Sequence, residues 1–156
     1  MKKKKYNLKI KTNFYPPLIK SKKLYTIIQN SINTVLKLIK KGTPKSLVII
    51  ASNTISYRAK LEINFLTKKI SKLNNIKSSK NILIGLDKNF LKNELLKFKN
   101  NKFGSVIILP IFLFRGRLLN NCIEVTQNLN LYFNSKKYFL ASHIKNYKKI
   151  ARFLKK

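Results

Sequence analysis

An α/β fold, a mostly parallel sheet with helices on both faces, is what this sequence predicts, with a β-α extension ahead of it. Three observations carry that expectation. Apolar, largely β-branched runs recur at Ser46–Ser52, Asn81–Leu86 and Ser105–Pro110, too continuous for strands with one wet face. Between them lie stretches whose apolar residues return every three or four positions, the mark of amphipathic helices. The two kinds alternate, which means parallel strands joined by helical crossovers.

Taken in order, "MKKKK" is a solvated basic tail, and "YNLKI" alternates like a short strand near residues 6–11. Two prolines in "NFYPPL" forbid helix there. From Ser21 as N-cap, Leu24, Ile27, Ile28, Ile32, Val35, Leu36 and Ile39 keep helical spacing until Gly42 and Pro44 stop it. "SLVIIAS" is a strand buried on both faces, followed by the polar loop "SNTIS". Ala59, Ile63, Leu66, Ile70 and Leu73 form the next helical stripe. "NILIGL" reads as another buried strand, and Asp87 as the cap of a helix carrying Leu91, Leu95 and Phe98. "SVIILP" is a strand. Leu119, Cys122, Ile123, Thr126, Leu129 and Phe133 make a further stripe, then "KYFLAS" and a helix from Tyr147 to Leu154 close the chain. Residues 1–45 form the tail and extension, and 46–156 the main lobe.

A hydrophobic fraction of 44% in 156 residues is enough to bury a core. No apolar run approaches the roughly 18 residues that span a bilayer, and no signal-peptide pattern opens the chain. A cytoplasmic location and no membrane partner are therefore expected. The single cysteine, Cys122, excludes an internal disulfide and a cysteine metal cluster; on its apolar stripe it reads as a core residue.

The net charge is +31. Nucleic acid is the partner such a charge first suggests, because lysines neutralise phosphates and release counterions. Yet the basic residues other than Arg58, Arg115, Arg117 and Arg152 are all lysine. Lysine, asparagine and isoleucine abound together, as they do under AT-rich coding. A selected polyanion surface gives the same composition, so charge alone leaves both open, and an RNA-binding, ribosome-associated protein stays as an alternative function.

In sheets of this kind, ligands bind at the carboxyl ends of the strands. Those ends are "ASNTIS", "GLDKN", "PIFLFRGR" and "ASHIKN". In the first, Ser52, Asn53 and Thr54 offer hydroxyls and amides to an anion. In the third, Arg115 and Arg117 flank Gly116, where backbone can approach a ligand and the next helix begins with free N–H groups. Their planar guanidiniums grip carboxylates at two points. His143, in the fourth, is the only histidine and a weak catalytic candidate, lacking a visible metal-binding partner. Glu62, Asp87, Glu94 and Glu124 are the only carboxylates, scattered without an acid–base spacing. No glycine loop for nucleotide phosphates is present, and no metal site is expected.

The stretch "SVIILPIFLFRGRLLNNCIE" resembles the strand–loop–helix of class II tetrapyrrole chelatases, the sirohydrochlorin cobaltochelatase and ferrochelatase family. Pro110, Phe112, Leu113 and Gly116 match that family's Pro-x-Phe-Leu-x-x-Gly turn. "FLKNELLKFKNNKFGS" and "YFLASHIKNYKKIARFLKK" fit the flanking elements, so the resemblance covers Ser46 to Lys156. "FYPPLIKSKKLYTII" is similar in turn to the closing "FLASHIKNYKKIARFL", as though the chain opened with the end of a first lobe and continued with a complete second. The resemblance implies a chelatase-like lobe and a lyase that inserts divalent cobalt or iron, as substrate, into an acidic tetrapyrrole in cobalamin or siroheme synthesis. It implies no tightly bound cofactor. Active lobes of the family carry a His-Gly-Ser loop after the first strand and a histidine after the Pro-x-Phe-Leu turn. Here "ASNTIS" and Leu118 stand in those places, as in the family's second lobes. A separate first-lobe subunit or a homodimer is the partner this implies.

Overall fold

The computed structural model describes residues 22–100, 104–112, 116–134 and 137–142. In order they form α1 (Lys22–Leu36), β1 (Lys45–Ser52), α2 (Tyr57–Leu73), β2 (Ser78–Ile84), α3 (Lys88–Leu96), β3 (Ser105–Pro110), α4 (Arg117–Tyr132) and β4 (Tyr138–Leu140). The four strands make one sheet in the order β2-β1-β3-β4, and each neighbouring pair is parallel. The expected strand near residues 6–11, the Ser21 cap and the closing helix lie outside the described residues.

Strand pleating sends alternate side chains to opposite faces. Leu47, Ile49 and Ala51 of β1 and Ile107 and Leu109 of β3 pack with α1 and α2 on one face. Val48, Ile50, Val106 and Ile108 pack with α3 and α4 on the other. That is why β1 and β3 read as unbroken apolar runs. Each fully buried Ile or Leu contributes roughly 1.5–3 kcal/mol of transfer free energy.

β2 departs from the expectation. It begins at Ser78, three residues before "NILIGL", and only Ile82 and Ile84 of the strand are fully buried. Among the described residues it is bonded to β1 alone, at the margin of the sheet, so its first half tolerates Ser79 and Lys80 in water. Gly85 and Leu86 lie beyond its end, and Leu86 is exposed.

The helices follow the apolar stripes with two corrections. α1 stops at Leu36; Ile39 is buried, but through a tightened turn in which its N–H donates to Leu36 O at 3.3 Å. In α2, Ile63, Leu66 and Ile70 are buried while Leu73, at the last turn, is 60% exposed because the chain there has run past the sheet. Asp87 caps α3 as expected, its carboxylate accepting from the N–H groups of Asn89 (2.8 Å) and Phe90 (3.2 Å). Thr126 interrupts the α4 stripe harmlessly: buried, it donates to Cys122 O one turn back at 2.7 Å.

Three local devices hold the strands in register. Gly104 takes φ +55° so that Ser105 N–H can reach Pro44 O at 2.8 Å. A Cβ at Gly104 would lie 1.9 Å from that oxygen. On α4, Asn130 bonds β4 with its side-chain amide: Oδ1 accepts from Tyr138 N–H at 2.9 Å and Nδ2 donates to Tyr138 O at 2.8 Å. At the end of β3, Ile111 N–H points to Ile50 O at 2.8 Å on β1. Position 110 would therefore point its donor toward β4, and proline has none. The last bond on that side is Ala141 N–H to Ile108 O at 2.8 Å.

Candidate functional site

The strand order decides where a ligand can sit. From β1 the chain turns to α2 on one face, and from β3 it turns to α4 on the other. Their loops part between two adjacent strands, which is the switch point where doubly wound sheets form a crevice. The strand ends at that point are two of those expected from sequence, leading into residues 52–56 after β1 and residues 111–112 after β3.

In the first loop, Ser52 Oγ and Thr54 Oγ1 are 2.8 Å apart, and Thr54 N–H donates to Ser52 Oγ at 3.3 Å. Ser56 caps α2 by accepting from Ala59 N–H at 3.3 Å. Asn53 is turned toward β2: its N–H donates to Ile84 O at 2.9 Å, and its side chain lies against Gly85, 3.1 Å from where a Cβ would be. Ser52 and Thr54 are thus brought together, while Asn53 is engaged on the side away from β3.

In the second loop, Phe112 is buried in the α3–α4 layer, and Arg115 lies outside the described residues. Gly116 is the N-cap of α4 with no side-chain bond and extended backbone, and Arg117 follows as an exposed first residue. The start of α4 thus carries a cation beside N–H groups that Gly116 has no side chain to cap, a favourable place for an anion.

A third part of the strand-end surface was not read from sequence. Buried Ser31 of α1 donates to Ser142 O at 2.7 Å, just past β4. Around this bond a cleft of about 460 Å³ is lined by Ser31, Thr34, Leu119, Asn120, Ile123 and Ser142, among others. It lies within one turn of Arg117. The available signal was Ser31 itself, a polar residue beside Ile32 in an otherwise apolar helical stripe. His143, next in sequence, lies outside the described residues.

Three carboxylates besides the Asp87 cap lie in ion pairs away from these loops, Glu62 without a hydrogen bond at its buried Oε1. Glu124 pairs with Lys88 at 2.5 Å, Glu94 with Lys80 at 2.7 Å and with Lys97, and Glu62 with Arg58 at 3.6 Å. The two lysines hold Glu94 below the ordinary carboxylate range. Burial pushes the Cys122 thiol up to about 12, so it stays protonated in the core and is no metal ligand. Among the described residues, no three His, Cys, Asp or Glu side chains gather for a metal. The described end of β1 and the start of α4 carry hydroxyls, free helix-end N–H groups and an arginine, groups that favour an anion.

The sheet and its covering helices make a doubly wound α/β lobe, and its fold is like that of the class II tetrapyrrole chelatases. The sirohydrochlorin chelatase SirB from Bacillus subtilis subspecies spizizenii, solved in complex with cobalt, superposes with a TM-score of 0.54 at 16% identity, over 76% of this chain and 43% of that one. This chain therefore spans less than half of SirB. A CbiX protein from Marinobacter aquaeolei VT8, named as a putative cobalamin (vitamin B12) biosynthesis protein, gives 0.48 at 16% identity over 72% of this chain and 92% of that one. A periplasmic sugar-binding protein of a Legionella pneumophila ABC transporter gives 0.49 at 12% identity, over 83% and 45%. No family profile matches the sequence, and no curated protein does. Among the described residues, no helix is long and apolar enough to cross a membrane.

Proposed function

We propose that this chain is the substrate-holding lobe of a cytoplasmic sirohydrochlorin chelatase, binding an acidic tetrapyrrole for insertion of divalent cobalt or iron in cobalamin or siroheme synthesis. The observation that supports the reading is the strand order, in which β1 and β3, the strands that precede the Ser52–Ser56 loop and α4, are neighbours in a chelatase-like sheet. Arg115 and Arg117 pair with carboxylates on the rim of the macrocycle, and Gly116, Ser52 and Thr54 supply further donors, while Asn53, turned to β2, braces the loop. Residues 1–45 act as the end of a preceding lobe and 46–156 as a second lobe. The imidazoles that accept pyrrole protons or hold the incoming metal come from a separate first lobe, because leucine at 118 can do neither.

The test has two arms. Absorbance titration of sirohydrochlorin is compared between the natural chain and the variant with Arg115→Gln and Arg117→Gln. A charge-assisted contact contributes roughly 1.5–3 kcal/mol, so losing both should weaken binding about 10²-fold or more. Cobalt insertion should then depend on adding a first lobe that carries the His-Gly-Ser loop. Equal affinity of both proteins for sirohydrochlorin removes the reading.

A further inference from the structure

α2 has a second pattern, on the side that does not face the sheet. Tyr57, Leu61 and Phe65 recur every four residues and are 76%, 50% and 69% exposed. At 1.5 Å per residue they form a ridge about 12 Å long. A second row, Lys60, Asn64, Lys68 and Lys72, runs beside it at the same spacing, bordering β2 at Asn64, whose Oδ1 accepts from Asn81 Nδ2 at 2.5 Å. Neither row contains a carboxylate. Glu62, the only acid of α2, has a side chain just 12% exposed, and it pairs with Arg58.

Three large apolar side chains in line are uncommon on a surface and point to a partner. The lysine row beside them requires that partner to be anionic. A second copy of this chain is a poor match, since two such faces would bring like charges together. Single-stranded RNA is a weaker match than lipid: it stacks bases on aromatic rings, and the centre of this ridge is a leucine. The ridge is convex, and apolar residues flanked by lysines along one helix face suit the boundary between headgroups and acyl chains.

We propose that the outer face of α2 seats this protein on an anionic lipid surface, with Leu61 and Phe65 entering the headgroup boundary and Lys60, Lys68 and Lys72 contacting lipid phosphates. The expectation of no membrane partner rested on the lack of a spanning segment, and this face lies on a bilayer without spanning it. The proposal is independent of the tetrapyrrole reading.

The experiment is sedimentation of the full chain with vesicles of phosphatidylcholine containing about one quarter phosphatidylglycerol, in about 0.15 M salt, where long-range attraction is screened beyond about 8 Å. The natural chain should partition onto these vesicles and only weakly onto pure phosphatidylcholine. Replacing Leu61→Ser and Phe65→Ser together leaves the charge unchanged and should reduce partitioning tenfold or more. Leu131→Ser removes a leucine that is 78% exposed at the far end of α4 and should change nothing. Thermal unfolding of each variant controls for folding. Undiminished partitioning of the double variant would mean that charge alone draws the protein to the vesicle, and the proposal fails. It fails equally if the natural chain ignores these vesicles and instead binds single-stranded RNA through Leu61 and Phe65.

Discussion

Ser31 and Ser142 lie 111 residues apart in sequence and are joined by two hydrogen bonds: Ser31 Oγ donates to Ser142 O at 2.7 Å, and the Ser142 hydroxyl, 2.9 Å away, is placed to donate back to Ser31 Oγ. α1 thus fixes the strand end that precedes the only histidine of the sequence. Replacing Ser31→Ala leaves the Ser142 carbonyl and hydroxyl without this partner in a partly buried place. The expected cost is about 1–2 kcal/mol, read as a lower midpoint in urea with an unchanged slope. No change in the midpoint would mean that α1 contributes packing there and nothing more.

Gly104 should tolerate no side chain. A Cβ would stand 1.9 Å from the carbonyl oxygen of Pro44 and 2.6 Å from its carbon, on backbone with φ +55°. Because the obstacle is main chain, relief requires moving the start of β3. Gly104→Ala should cost about 2–4 kcal/mol, among the larger single-residue effects, whereas Gly116→Ala, with open space around it, should stay within about 0.5 kcal/mol.

The Cys122 thiol should resist modification in the native protein. It is fully buried and its ionisation is pushed up to about 12, so a thiolate-requiring reagent at mildly alkaline pH finds neither access nor nucleophile. Labelling should become fast only in denaturant. Rapid labelling of the folded chain would place the thiol in an accessible cleft and reopen it as a ligand.

Glu94 should shape the acid side of stability. Lys80 and Lys97 lower its carboxyl below the usual value. A carboxylate held low in the folded state contributes stability that is full above its unfolded pKa, near 4.3, and is lost as pH falls through the folded value. Glu94→Gln should therefore flatten the loss of stability below about pH 4.3 while lowering stability slightly at neutral pH. An acid limb identical to that of the natural chain would show the pair to be energetically idle.

The central strands were readable because burial on two faces leaves a continuous apolar run, as at Leu47–Ile50 and Val106–Leu109. β2 was harder: its position at the sheet margin is a property of strand order, and the same letters "NILI" serve a central or a marginal strand. The exposure of Leu73 was missed for a related reason, since periodicity places it on the stripe of α2 without revealing that the sheet has ended. At the site, the loops after β1 and β3 were legible as strand ends. Their adjacency was not, because only the order β2-β1-β3-β4 makes them neighbours. Nor could sequence show Asn53 leaning on Gly85, a contact between chain segments more than thirty residues apart.

The amide of Asn130 occupies the outward N–H and C=O of Tyr138. Those are the groups a foreign strand would need to begin pairing, and their occupation works as a cap on the sheet's flank. A chain so rich in isoleucine and asparagine runs a standing risk of cross-β stacking. With Tyr138 sealed, a foreign strand meeting the sheet at β4 finds this rung already occupied, a protection that the β2 flank does not share among the described residues.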